Sequence, residues 1–180
     1  MLACPTCAKP FADGRCDCRR DWTETGGVPD LFAADADGSA VEAQRAHYEE
    51  WPGREYRPDH TLERVLADAR ADALVAALDD QVPARAAVLE AGCGTGRLAN
   101  VLAARGRDVL GLDLSMSALL RAEAFRRRAG LVSVSFARAN LFRPPVTPGS
   151  VDVAVARRVV QFTLNPAAAV AALGRCLRPG

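Results

Sequence analysis

From Thr61 to Asp80, apolar residues fall at Leu62, Val65, Leu66, Ala69, Ala73, Leu74, Ala77 and Leu78. That spacing puts one apolar stripe on a helix, which Pro83 ends. Downstream, short continuous apolar runs alternate with helical spacing, and such runs suit strands buried on both faces. The pattern predicts strands at 86–90, 108–112, 131–137 and 150–156 and helices at 96–105, 115–129 and 165–177. Alternating β and α elements imply a parallel sheet with right-handed crossovers and helices on both faces. Ligands of such α/β sheets bind beyond the carboxyl ends of the strands.

The residues at those strand ends are not ordinary loop residues. Val88 to Arg97 reads VLEAGCGTGR: a strand end, Glu90, then Gly92, Gly94 and Gly96 at alternate positions, then a helical pattern. Glycine lets the backbone take positive φ and approach a bound molecule, while unpaired helix-start N–H groups face it. The dinucleotide fingerprint G-x-G-x-x-G fits poorly, because the third glycine comes one residue early and Arg97 stands in its place. The next strand runs into Asp113, followed by Ser115, a good helix N-cap. Asp113 lies about 20 residues beyond the glycines, where an α/β nucleotide site places the carboxylate that accepts from ribose hydroxyls. The alternative for Asp113 is a solvated turn acid.

Taken together, E-x-G-C-G-T-G at Glu90 to Gly96 and G-x-D-x-S at Gly111 to Ser115 resemble the class I S-adenosylmethionine-dependent methyltransferases, over roughly Thr61 to the C-terminus. The resemblance implies a Rossmann-like sheet and S-adenosyl-L-methionine as cofactor. It assigns the methionine end to Glu90, Gly92, Cys93, Gly94 and Gly96, and the ribose to Asp113 with Leu114. In the loop Ala139 to Pro144, Asn140 would accept from the adenine amine and Leu141 would flank the ring. After the fourth strand, many small-molecule relatives carry Asn and His, whereas Arg157, Gln161 and Phe162 stand here. The catalytic residue is therefore unassigned, with Arg157, Gln161 and Tyr48 as candidates. Arg157 also counts among the residues near the cofactor, where its fork of donors suits an anionic acceptor. The family's sheet has further C-terminal strands, and the end of this chain, Leu177 to Gly180, resembles the turn leading into the next one. The fourth strand is expected to be an exposed edge, the chain being a fragment or a partner chain completing the sheet.

Cysteine adds a second chemistry. Of six cysteines, Cys93 and Cys176 read as small buried residues. Cys4, Cys7, Cys16 and Cys18 form two close pairs, a set that suits tetrahedral zinc better than disulfides in a reducing compartment. Gly27-Val28-Pro29-Asp30-Leu31-Phe32 resembles the closing strand of a zinc-ribbon module found ahead of some bacterial methyltransferases, although Cys16-Asp-Cys18 is tighter than that module's second pair. The expected division is a zinc-ribbon-like segment at 1–34, a linker and lid segment at 35–60 and a partial methyltransferase core at 61–180. Zinc is expected to order residues 1–32 and to leave the core competent for cofactor.

Charge and hydropathy narrow the partners. The formal net charge of 180 residues is +1, so no global field recruits nucleic acid or a membrane. No apolar run approaches ~18 residues and no signal-peptide pattern opens the chain, which makes the expected location cytoplasmic. Arg126-Arg127-Arg128 reads as a solvated helix end. The expected function is methyl transfer to an unknown, small-molecule acceptor. The alternatives are a non-catalytic S-adenosylmethionine-binding or methyltransferase-partner protein, and an rRNA or tRNA methyltransferase.

Overall fold

The computed structural model describes residues 1–9, 16, 18, 22–33, 44–47, 49 and 60–180. Tyr48, a candidate catalytic residue, and most of the expected linker and lid segment at 35–60 lie outside the described residues. Four strands carry the core: β3 (Ala87–Ala91), β4 (Asp108–Asp113), β5 (Val134–Arg138) and β6 (Val153–Val155). They pair in parallel, β5 with β4, β4 with β3 and β3 with β6. Between them run α3 (Arg97–Ala104) after β3, α4 (Met116–Arg128) after β4, and α5 (Pro166–Gly174) after β6. This is a Rossmann-like α/β arrangement with helices on both faces.

Alternation along the strands divides the core in two. Val88 and Val109 face one layer with Leu98, Val101, Leu102, Leu119 and Phe125 of the helices. Leu89, Leu110 and Leu112 face the other, against Leu31, Val151, Leu173 and Cys176. Burial on both faces is why these strands read as unbroken apolar runs.

Several boundaries differ from the sequence reading. The helix expected over 61–80 is two helices, α1 (Leu62–Ala71) and α2 (Ala73–Gln81). Asp72 divides them, its side chain accepting the N–H groups of Leu74 and Val75 at 3.1 and 3.2 Å. Such local bonding to the backbone competes with helix continuation. The last helix stops at Gly174, and Leu177 then forms a parallel bridge with Val151, with the Arg178 N–H donating to the Val151 carbonyl at 2.9 Å.

The N-terminal part joins this sheet. Strands β1 (Thr23–Thr25) and β2 (Val28–Asp30) form a hairpin, and β2 lies parallel to β5, giving the order β1-β2-β5-β4-β3-β6. Leu31 donates its N–H to the Arg138 carbonyl at 2.9 Å, and Arg138 pairs with Asp30 at 3.0 Å. The arginines at the end of α4 include two exposed ones, Arg127 and Arg128, as expected, but they are also engaged. Arg126 and Arg127 both hold the buried Glu123, each at 2.6 Å, and Arg127 also donates to the Gly26 carbonyl in the hairpin turn. Leu2 bridges Val146 antiparallel, and the Ala3 N–H donates to the Pro145 carbonyl at 2.8 Å. No helix among the described residues is long and apolar enough to cross a membrane.

Candidate cofactor pocket and metal site

The three glycines at the tip of β3 have positive φ and three different surroundings. A Cβ on Gly92 would lie 2.4 Å from a Val159 methyl, so this turn packs closely under the segment that follows β6. Gly94, at φ +54, faces open space, with nothing within 4 Å of an added Cβ. Gly96, at φ +72, starts α3 where a Cβ would meet Phe136 at 2.7 Å and Ala122 at 2.8 Å. The close helix–sheet packing thus falls to Gly96, and Arg97 has no need to be glycine. Cys93 is buried beside Gly111 of β4, and burial pushes its thiol well above the usual range. It is a packing residue.

Asp113 closes the next strand. One carboxylate oxygen accepts the Gly94 N–H at 2.7 Å and the other the Ser115 N–H at 2.9 Å. Burial pushes this carboxyl above the ordinary range, against the opposing pull of the Ser115, Gly94 and Leu114 N–H groups, and the charge of Glu49 adds to the rise. Glu49 comes from outside the core and reaches the start of α4, accepting from Met116 N–H at 2.7 Å and Ser117 N–H at 3.1 Å. Burial opposes its ionisation, but those two N–H groups outweigh it and hold the Glu49 carboxyl below its usual value.

A pocket of about 270 Å³ opens over these residues. Gly92, Gly94, Asp113, Leu114, Asn140 and Leu141 line it, joined by Ala118 and Phe142. Asn140 is almost fully buried, its amide donating to the Ala33 carbonyl at 3.3 Å and its oxygen accepting the Phe142 N–H at 3.0 Å. Glu90 is buried in β3 beneath the turn and is not among the lining residues.

The remaining wall departs from expectation by one residue. Arg158, Val159, Phe162 and Thr163 line the pocket, whereas Arg157 and Gln161 do not. Arg157 acts instead on Asp72, the cap of α2, whose carboxyl is held below its usual value first by the Val75 N–H and, among lesser causes, by the charge of Arg157. Gln161 lies on the exposed side of a 3-10 turn, Val160–Phe162. The cause is a left-handed backbone at Arg158, φ +55, which breaks strand alternation just past β6. Arginine gives no signal for such a turn. Gln44, in a helical stretch at 44–47, completes the rim, its amide donating to the Phe162 carbonyl.

An open glycine turn, a carboxylate at the tip of β4 and an apolar slot make a pocket suited to an adenosine-bearing cofactor. A family profile described as "Methyltransferase domain" matches residues 89–180. The ubiquinone biosynthesis O-methyltransferase of Ralstonia nicotianae is 30% identical over 154 residues, covering 82% of this chain and 60% of that protein. The protein of the same name from Methylococcus capsulatus is 35% identical over 92 residues, covering 51% and 39%. Among solved structures, a methyltransferase from Mesorhizobium loti aligns with a TM-score of 0.54 at 26% identity, over 62% of this chain and 51% of that one. The chain belongs to the methyltransferase-domain family, in the class I group that depends on S-adenosylmethionine. It spans about half the length of the curated relatives it matches.

Cys4, Cys7, Cys16 and Cys18 converge, their sulfurs all within 4.8 Å of one another, and none is in a disulfide. Cys4 and Cys18 sulfurs are 3.7 Å apart. Four sulfurs around a tetrahedral zinc at about 2.3 Å would stand about 3.8 Å apart, so the donor set and its spacing fit that ion. The Cys4 thiol is lowered to about 6: burial opposes ionisation, but the Thr6 and Cys7 N–H groups and the neighbouring Cys16 and Cys18 outweigh it.

Proposed function

We propose that the chain binds S-adenosylmethionine in the pocket over the glycine turn and takes part in methyl transfer to a small-molecule acceptor. The observation that carries this reading is that Gly94, Asp113, Leu114, Asn140 and Leu141, from three strand ends, line one pocket. Asp113 is the acceptor for ribose hydroxyls, Asn140 with Leu141 holds the adenine end, and Gly94 leaves room for backbone approach. Bound there, the cofactor supplies an electrophilic methyl group. The residues contribute position and exclusion of water, and alignment of this kind is worth several kcal/mol in a displacement.

Among the described lining residues, Asp113 and Arg158 are the ionisable ones, and Asp113 is already held by N–H groups. Neither is placed as a proton acceptor for the incoming nucleophile. Several relatives are named ubiquinone biosynthesis O-methyltransferase, which makes a hydroxyl oxygen the first acceptor atom to test. The four cysteines are proposed to hold one structural zinc. Calorimetric titration with S-adenosylhomocysteine should give one site per chain, and Asp113→Ala should weaken it by about 1–3 kcal/mol. Binding without turnover across a panel of phenolic acceptors would retain the pocket and remove the catalytic half of the proposal.

A further inference from the structure

We propose that Arg158 is an anion-recognition residue, and that the ligand filling the β3–β6 end of the pocket presents a carboxylate to it. The inference rests on the pocket reading above. Arg158, three residues beyond β6, is exposed and lines the cavity. It holds a left-handed backbone, φ +55, a conformation that a residue with a Cβ rarely adopts. Val159, the next residue, packs against Gly92, so this turn fixes both residues at the mouth of the cavity.

The guanidinium is not part of any hydrogen bond or ion pair among the described residues, in contrast to Arg126, Arg127, Arg138 and Arg178, which all hold carboxylates. Among the described lining residues the one carboxylate, Asp113, is turned to Gly94 and Ser115 on the far side of β3. Around Arg158 the wall is apolar: Val159, Phe162, Leu141 and Phe142. A ligand seated there displaces water and lowers the local dielectric, which strengthens a pairing that solvent would otherwise screen. A planar fork of donors matches a carboxylate in two parallel bonds.

Two carboxylates could meet it: that of the cofactor's methionine part and one on the acceptor. Calorimetry on the full chain separates them, using S-adenosylhomocysteine and 5′-methylthioadenosine, which lacks the amino-acid part. Arg158→Gly removes the side chain at a backbone angle glycine favours, so the variant should fold as well as wild type. Arg158→Lys keeps the charge and loses the fork. If the cofactor supplies the carboxylate, both variants should bind S-adenosylhomocysteine about tenfold or more weaker while 5′-methylthioadenosine is unchanged. If the acceptor supplies it, cofactor affinity should hold. KM for carboxylate-bearing acceptors should then rise about tenfold, with no change for their methyl esters. Arg157→Gln should leave all of these values as in wild type. Wild-type affinities and KM values in Arg158→Gly would overturn the inference alone. Failure of wild-type protein to bind either nucleoside would overturn the pocket reading first, and this inference with it.

Discussion

At the scale of single residues, Asp113 is the group whose chemistry has the sharpest consequence. Its carboxyl is raised above the ordinary value of 3.8, chiefly by burial. In the ligand-free protein such a group stabilises the fold below that ordinary value, and the contribution is lost as pH rises through the raised one. Ribose binding has the opposite dependence, because hydroxyls donate to the ionised form. Affinity for S-adenosylhomocysteine should therefore fall as pH drops through the raised value, where an exposed aspartate would still be ionised. Calorimetry across pH should show this for wild type and a flat profile for Asp113→Asn; a flat wild-type profile would place the ribose elsewhere. Asp113, Gly94, Asn140 and Leu141 were legible because motif spacing ties them to strand ends. Arg158 was not, since its place depends on one left-handed residue where glycine or asparagine would have been the sign.

Elements were legible in kind more than in extent. Apolar runs identified the four core strands, but period alone could not separate α1 from α2, because Asp72 interrupts the helix without interrupting the apolar stripe. The GGVPDLF stretch announced a strand and not its neighbours, as a short strand carries no record of its partners; here β2 lies between β1 and β5 and so extends the core sheet. The clasp on α4 was equally silent, because Glu49 is distant in sequence from the N–H groups it accepts. A carboxylate there offsets two orphan donors and the positive end of the helix. Glu49→Ala should destabilise by about 1 kcal/mol and speed amide exchange at Met116 and Ser117. Because the Glu49 carboxyl lies below its usual value, its stabilisation is present above that value and lost as pH falls through the lowered one. Its charge also raises Asp113, so Glu49→Gln should move the acid limb of cofactor binding to lower pH. An unchanged limb would mean that the two carboxylates are uncoupled.

Across the whole molecule, the cysteine segment and the cofactor pocket share a wall. The sequence suggested that losing zinc would loosen residues 1–32 and spare the core, since nothing in the motifs connects them. In the fold, Ala3 N–H donates to Pro145 O, Thr147 N–H to Met1 O, and Leu2 bridges Val146, so the segment holding Cys4 and Cys7 is sewn to the loop after β5. That loop begins with Asn140, Leu141 and Phe142, which line the pocket, and Asn140 donates to Ala33 just past the hairpin. A segment with so little core depends on its metal for order. Zinc analysis should find one ion per chain, and the Cys4→Ser variant should lose it. Chelation should then weaken S-adenosylhomocysteine binding severalfold, by an amount comparable to one or two lost hydrogen bonds at about 1 kcal/mol each. Amide exchange should rise in 140–147 as well as in 1–9, while β3 and β4 stay protected. If chelated protein keeps its cofactor affinity and exchange rises only in the cysteine segment, the contacts at Pro145 and Val146 follow the metal without steadying the pocket.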